Sequence, residues 1–353
     1  MKHRFRLASV TLASCLFIAS ALSPTTASAA NLQPAGINLG GTSFFDGFGR
    51  NEGGFTYLTY LQYAMIRAIN GTLIAGGDGS EPLPVFNEPA IDVFVWINQL
   101  AYTVPDGLFN DNAHFGFNFV LPIVAFNTSF RPPTMQNPQN ATLSDNGIGV
   151  GDLTFGPFLQ FKPVMMGARP FFSHRFEFDV IAPIGAYDAT VDINQSSNFT
   201  SLVPNWAATI MPIEHWEISA RFHFLYNFKT QRPAFGRFYS LQNPPAIDSA
   251  QAGTSGWVNF ATSYEIFESF HVGANGYYFH QFNLDSWNLL DGSSEPGLRF
   301  HDTGKRKILA VGPGVLWHAT KQDHLFANGY TQLLSEHGPD ADLTINLRWV
   351  HGF

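Results

Sequence analysis

The sequence predicts an all-β protein, a transmembrane antiparallel up-and-down β-barrel of about twelve strands, with ten to fourteen as the range. Three observations predict it. The chain opens with an export leader and then offers no run of ~18 apolar residues that would make a membrane helix. Its composition interleaves apolar and polar residues. Strand-like segments of period two follow one another to the end of the chain, separated by links that alternate between short and long.

The leader comes first. Lys2, Arg4 and Arg6 precede an uncharged stretch, residues 7–22, then Pro24 and the small-residue run Ala27, Ser28, Ala29 and Ala30. This is the order of a secretory signal peptide, residues 1–30, cleaved after Ala29 or Ala30. The single cysteine, Cys15, lies inside it, so the mature chain is expected to carry no thiol, disulfide or cysteine-based metal site. Leu12, Ala13, Ser14 and Cys15 also fit the pattern of lipoprotein processing, but that would cut the apolar core to residues 7–13, and a better cleavage site lies downstream.

Composition narrows the class. Charged residues make up 13% of the chain, about half the ~25% of an ordinary soluble domain, while the mean hydropathy is only -0.01. Apolar and polar residues must therefore alternate rather than segregate. Aromatics reach 15%, with 35 Phe, which suits a lipid-facing pleat. Without the three cations of the leader, 16 basic residues face 27 acidic ones, a net charge of -11. That excludes a nucleic-acid binder, which needs a basic face.

Residues 31–54 precede the first strand and hold Leu32, Ile37, Phe44, Phe45 and Phe48 among glycines. Free apolar side chains gain by burial, so this N-terminal segment is expected either to lie in the periplasm or to tuck into the lumen as a plug carried by Phe44, Phe45 and Phe48. The alternatives are a disordered tail or a further strand.

The barrel is expected over residues 55–353. Its strand-like runs are 57–67, 91–103, 113–126, 149–161, 171–184, 204–211, 215–228, 256–267, 270–283, 306–318, 324–334 and 342–353. Links after even-numbered runs are brief, 104–112, 162–170, 212–214, 268–269 and 319–323. Those after odd-numbered runs are long, 68–90, 127–146, 185–203, 229–255 and 284–305, and only 335–341 is short. Outer-membrane barrels have short periplasmic turns and long outer loops, so an even strand count puts both termini in the periplasm. The last run places Leu343, Ile345, Leu347, Trp349 and Phe353 on one face and Thr344, Asn346 and Arg348 on the other. A terminal Phe353 in such a strand is what barrel-assembly machinery is expected to engage.

Alternation assigns faces. Trp216, Ile218, Phe222, Phe224 and Tyr226 oppose Glu217, Ser219, Arg221 and His223, and Phe176, Phe178 and Val180 oppose Arg175, Glu177 and Asp179. A Lys or Arg directed at the bilayer midplane costs ~2–4 kcal/mol, so Arg175, Glu177, Asp179, Glu217, Arg221 and His223 are the candidate lumen lining. Runs 57–67 and 91–103 are bulky and apolar on both faces, leaving their register open and a helix or plug possible for part of the first. Pro122, Pro157, Pro183 and Pro313 fall inside strands, where a lost ladder bond calls for bulges or bends near strand ends, or else for a lateral gap in the wall.

Motifs of chemistry are thin. Twelve histidines include no pair at i, i+2 or i, i+4 with a third ligand near, and His215 and His223 lie too far apart for one ion, so no metal is expected. No Gly-x-Ser-x-Gly segment marks a nucleophile, so no catalytic residue and no cofactor are expected. The glycine-rich stretch 76–81 lacks the Lys-Ser/Thr of a phosphate loop and the spaced carboxylates of an EF-hand, and reads as an outer loop.

Three stretches carry a resemblance. Asn38-Leu39-Gly40-Gly41-Thr42-Ser43-Phe44-Phe45-Asp46-Gly47-Phe48-Gly49, Gly147-Ile148-Gly149-Val150-Gly151-Asp152-Leu153-Thr154-Phe155-Gly156-Pro157 and Ala182-Pro183-Ile184-Gly185-Ala186-Tyr187 resemble the MetA-pathway phenol-degradation family of bacterial outer-membrane proteins. The resemblance runs over most of the mature chain and rests on turn glycines and strand edges, with no catalytic signature to carry over. It implies a barrel that assists uptake of small hydrophobic compounds, aromatic ones included, downhill and without a cofactor. The expected partners are outer-membrane lipid, a small hydrophobic solute and the assembly machinery. The alternatives are a general small-solute porin and an outer-membrane lipid hydrolase or acyltransferase.

Overall fold

The computed structural model describes residues 37–70, 86–109, 111–137, 142–234, 247–290, 294–296 and 304–353. The leader with Cys15, residues 31–36 and the glycine-rich stretch 76–81 lie outside the described residues. Among the described residues there is no helix. The strands are β1 (Gly54–Asn70), β2 (Ala90–Leu108), β3 (Ala113–Ser129), β4 (Ile148–Val150), β5 (Leu153–Phe161), β6 (Val164–Met166), β7 (Arg169–Ala182), β8 (Ser201–Ile213), β9 (Trp216–Asn227), β10 (Ile247–Gln251), β11 (Ser255–Phe267), β12 (Phe270–Gln281), β13 (Ser286–Leu289), β14 (Ser294–Pro296), β15 (Lys307–His318), β16 (Asp323–Glu336) and β17 (Gly338–Gly352).

Twelve of these, β1, β2, β3, β5, β7, β8, β9, β11, β12, β15, β16 and β17, pair antiparallel with their neighbours in chain order. The ring closes where β1 meets β17, from Thr56 opposite Gly352 to Asn70 opposite Gly338. Closure is what lipid demands, because an open edge would leave backbone N–H and C=O groups with no partner in hydrocarbon. Phe353 N adds a last bond to Phe55 O at 2.9 Å, fastening the end of the chain across the seam. β4 and β6 extend the wall beside β3 and β7, and β10, β13 and β14 form a separate small sheet.

Strand and hairpin chemistry follows the sequence closely. Adjacent strands meet in tight turns, with His215 and Ser269 in the left-handed region between β8 and β9 and between β11 and β12. Their positive φ, 66° and 65°, is what such short links require, and neither residue is β-branched. Phe222, Phe224, Phe176, Phe178, Phe117 and Phe119 point outward and are exposed, while Ser219, Glu217, Asn205 and Asn118 point inward and are buried. Trp216, Tyr264, Phe267, Trp317 and Trp349 cluster on the outside at the short-turn end, where amphipathic rings suit a membrane interface. Phe222 stands mid-strand on the lipid face, stacked on Trp206 with ring centroids 5.8 Å apart. Phe222→Arg is expected to lower stability by ~2–4 kcal/mol in denaturant unfolding from bilayers, the cost of a cation at the midplane.

The prolines correct one expectation. The sequence calls for bulges or bends at Pro157 and Pro313; the ladders there keep their register, so neither site has a bulge. The β5–β7 ladder steps from Phe155 opposite Val180 to Phe158 opposite Glu177, and the β15–β16 ladder from Val311 opposite Thr331 to Gly314 opposite Asn328. Pro204 sits in a similar gap, between Leu202 opposite Tyr226 and Asn205 opposite His223. Each proline removes a bond without adding a residue, and the pairs on either side hold the strands in step. At Pro122 a true irregularity occurs on the partner strand between β4 and β5, where Gly151 N donates to Pro122 O at 2.8 Å. Pro183 lies just past the end of β7.

β1 and β2 are strands throughout, and their apolar residues on both faces have a simple cause. Phe55, Leu61, Phe94, Trp96 and Leu100 face out and are exposed, whereas Leu58, Val95 and Ile97 face an interior space. Residues 37–53 run inside the barrel. Ile37 and Leu39 pack on a buried cluster that includes Ile181, Val203, Leu225, Trp257, Tyr277, Phe279 and Tyr330, filling the β7–β16 side.

Candidate functional site: the barrel lumen

The barrel encloses a cavity of about 1440 Å³. Its two sides differ in chemistry. From β1, β2 and β3 it receives Leu58, Val95, Ile97, Val120, Pro122 and Val124, an apolar patch bordered by Gln62, Gln99 and Asn118. Opposite stand Arg175, Glu177 and Asp179 of β7 and Arg221 and His223 of β9, with the inner segment between. Period-two alternation produces both walls, because each strand sends every second side chain inward and the inward sets of β1–β3 and β7–β9 differ in polarity.

The charges form one chain. Arg221 holds Asp46 with two bonds, Nε to Oδ2 at 2.8 Å and Nη2 to Oδ1 at 2.9 Å, and its Nη1 reaches Glu177 Oε2 at 2.7 Å and Asn205 Oδ1 at 3.0 Å. Glu177 Oε1 also accepts from Arg175 Nη2 and Asn118 Nδ2, both at 2.8 Å. Arg175 lies over the Phe158 ring, 3.6 Å from its centroid. Asp179 accepts from Asn205 Nδ2 at 3.0 Å. Burial alone would raise the Asp46 carboxyl, but the Arg221 guanidinium outweighs it and holds the group below its ordinary 3.8.

The inner segment is bolted to many strands. Tyr330 OH and Asn346 Nδ2 donate to Gly40 O at 2.8 and 3.0 Å, and Gly40 N donates to Asn259 Oδ1 at 3.0 Å. Trp257 Nε1 reaches Asn38 O at 2.9 Å, and Asn328 Nδ2 reaches Ser43 Oγ at 3.0 Å. Gly47 N donates to Thr209 Oγ1 at 2.9 Å while Gly47 O accepts from Ser173 Oγ at 2.9 Å and Gln160 Nε2 at 3.0 Å. Gly47 approaches the wall so closely that a Cβ would stand 2.4 Å from both Ser173 O and Thr209 N, which are backbone atoms. Only glycine fits there.

The residues singled out by the sequence fall in different places. Arg175, Glu177, Asp179, Arg221 and His223 border the cavity, and His223 stacks on Trp257 with centroids 4.2 Å apart. Glu217 does not. It faces inward but is sealed beneath the inner segment, accepting from Ser219 Oγ at 2.5 Å, Ser263 Oγ at 2.7 Å and Phe45 N at 3.4 Å. Phe44 is 1% exposed and packs with Ala261, Leu316 and Phe326, while Phe45 packs against Phe48 and the rings of His271 and His318. Gln160, Asn259, Asn328 and Asn346 anchor the segment and were not singled out; their only signal was a polar residue on the inward face of a strand. Among the described residues no three His, Cys, Asp or Glu side chains are grouped to hold a metal ion.

The family model described as "Putative MetA-pathway of phenol degradation" matches residues 46–338, from the inner segment to the turn that leads into β17. The chain belongs to this family. It is an outer-membrane β-barrel protein. Its fold is similar to that of an outer membrane channel from Pseudomonas putida F1, with 16% identity and a TM-score of 0.61, covering 88% of this chain and 99% of that one. Weaker likenesses include the TodX monoaromatic hydrocarbon channel, at 9% identity and TM-score 0.47 over 87% of this chain and 92% of that one. A FadL homologue from Pseudomonas aeruginosa gives 12% identity and 0.40 over 85% of this chain and 90% of that one. No curated protein sequence matches the chain.

Proposed function

We propose that this member of the phenol-degradation family is a passive channel for small hydrophobic solutes, aromatic ones among them, with residues 37–53 seated in the lumen as its plug. The observation that carries the reading is the apolar patch of Val95, Ile97, Val120, Pro122 and Val124 on neighbouring strands, with Leu58 beside it and Gln62 and Gln99 at its borders, inside a barrel whose opposite wall is charged. A water-filled general porin needs polar groups around its constriction, since a sugar pressed against such a wall gives up hydrogen bonds to water. A toluene molecule burying about 100 Å² there gains ~2.5 kcal/mol at ~25 cal/mol per Å². That is enough to favour entry and weak enough to permit exit. The similarity in fold to the outer membrane channel of Pseudomonas putida F1 agrees with a channel.

Transport rather than catalysis is the role this assigns, with the gradient as the only driving force. We place the start of β1 at Gly54 and the end of β17 at Gly352 on the periplasmic side, because that end of the barrel carries the short turns. Phe353, 67% exposed at the seam, then stands where the assembly machinery meets the last strand. The functional reading is tested in cells. Expressed in a host stripped of its own porins, the protein is expected to raise the initial uptake rate of labelled toluene severalfold while leaving arabinose uptake at the background rate. Fast arabinose entry without a gain for toluene would make it a general porin.

A further inference from the structure

Arg348, on β17, differs from Arg175 and Arg221, the arginines of the charged wall, and from Arg169, whose guanidinium is taken up by the Met211 and Pro212 carbonyls. Arg175 and Arg221 are each paired with Glu177, and Arg221 also with Asp46. Among the described residues Arg348 makes no ion pair. It is 6% exposed, borders the cavity, and leaves its Nε without a hydrogen-bond partner. Its guanidinium lies over the Phe326 ring at 3.6 Å from the centroid and near the Tyr60 ring at 5.9 Å, with the Tyr60 hydroxyl as its polar neighbour on β1. Asp46 acts on it only from a distance, since both Asp46 oxygens are held by Arg221. A buried cation without a counter-ion is costly, and a guanidinium stacked on an aromatic ring keeps its donor edge free for a planar anion.

The surroundings say what kind of anion. Arg348 is opposite Tyr60 on β1, Tyr60 is opposite Ile97 on β2, and Ile97 is opposite Pro122 on β3. Neighbouring strands lie ~4.8 Å apart, so the apolar wall begins about two strand spacings, roughly 10 Å, from the guanidinium. Val350 and Leu58 border the same space. One cation beside so much hydrocarbon suits a monoanion with an apolar body; a phosphate dianion would bring a second charge that nothing here receives.

We propose that Arg348 is a binding site for the carboxylate of an aromatic monocarboxylate whose ring lies on the wall formed by Leu58, Ile97 and Pro122. The site rests on the channel reading above and narrows its cargo to include amphipathic anions as well as neutral hydrocarbons. Arg348 thereby becomes a specificity residue. It attracts the carboxylate inward, and the weak, single-point contact leaves the solute free to move on.

The test uses full-length protein reconstituted in liposomes, with labelled benzoate and labelled toluene as probes. Arg348→Met is expected to cut benzoate flux at least tenfold and to leave toluene flux within twofold; Arg348→Lys, which keeps the charge, is expected to retain benzoate flux within about threefold. Equal benzoate flux in the wild type and Arg348→Met overturns the site, and so does a parallel fall of both probes in Arg348→Met that Arg348→Lys does not rescue. The two proposals separate cleanly. A wild type that passes toluene but no benzoate ends the anion site alone, one that passes benzoate through Arg348 but no toluene ends the hydrocarbon reading alone, and one that passes neither ends both.

Discussion

Arg221→Met is expected to destabilise the protein by about 3–5 kcal/mol and to release residues 37–53 from the wall, because it strands a buried carboxylate. Among the described residues Asp46 has no other cation within ion-pair distance, whereas Glu177 retains Arg175 and Asn118. The loss therefore falls mainly on the contact between the inner segment and the barrel. Removing both partners costs less than removing one, since no charge is then left unsatisfied. The Asp46→Asn, Arg221→Met double variant should recover part of the stability lost by Arg221→Met. Denaturant unfolding followed by tryptophan fluorescence measures both, and full additivity of the two single changes would mean that the pair is not coupled.

Gly47→Val is expected to produce the largest change in permeability. Its side chain would have to occupy space held by Ser173 O and Thr209 N, atoms of two paired strands that cannot step aside. The segment must lift, and with it go the bonds to Thr209, Ser173 and Gln160. The twelve-strand ring does not depend on those bonds, so the variant should still fold and shift on heating in gels as a barrel does. Single-channel conductance is then expected to rise severalfold and arabinose to enter faster. Gly329→Ala provides the control, since a Cβ there meets nothing within 4 Å. Unchanged conductance in Gly47→Val would mean that the segment does not limit flow.

How much of this could be read from the chain depends on how local each cause is. Strand positions are set by alternation within ten or so residues, so all twelve runs have a strand at their place, with ends displaced by a few residues, and run 149–161 is divided into β4 and β5. The two apolar faces of runs 57–67 and 91–103 were ambiguous because alternation distinguishes in from out only when the two sides differ in polarity. Here lipid and an apolar cavity wall ask for the same residues. Pairing is non-local and was correspondingly dark. Glu217 and Arg221 look alike in sequence, four residues apart on one face, yet one is sealed beneath Phe45 and the other borders the cavity. Arg348 fell on the wet face of the last run, but its lack of a counter-ion is a property of β1, β16 and the inner segment together. The prolines show the same limit. Sequence dictates that a ladder bond is lost, and only the partner strand decides whether the register slips.

The central claim is that this lumen favours apolar solutes over polar ones of similar size. It is tested most directly by one ratio, the flux of labelled toluene to that of labelled arabinose through the purified protein in the same proteoliposomes, each corrected for protein-free vesicles. The account predicts a corrected ratio well above one, falling toward one in Gly47→Val. A corrected ratio at or below one in the wild type would contradict it.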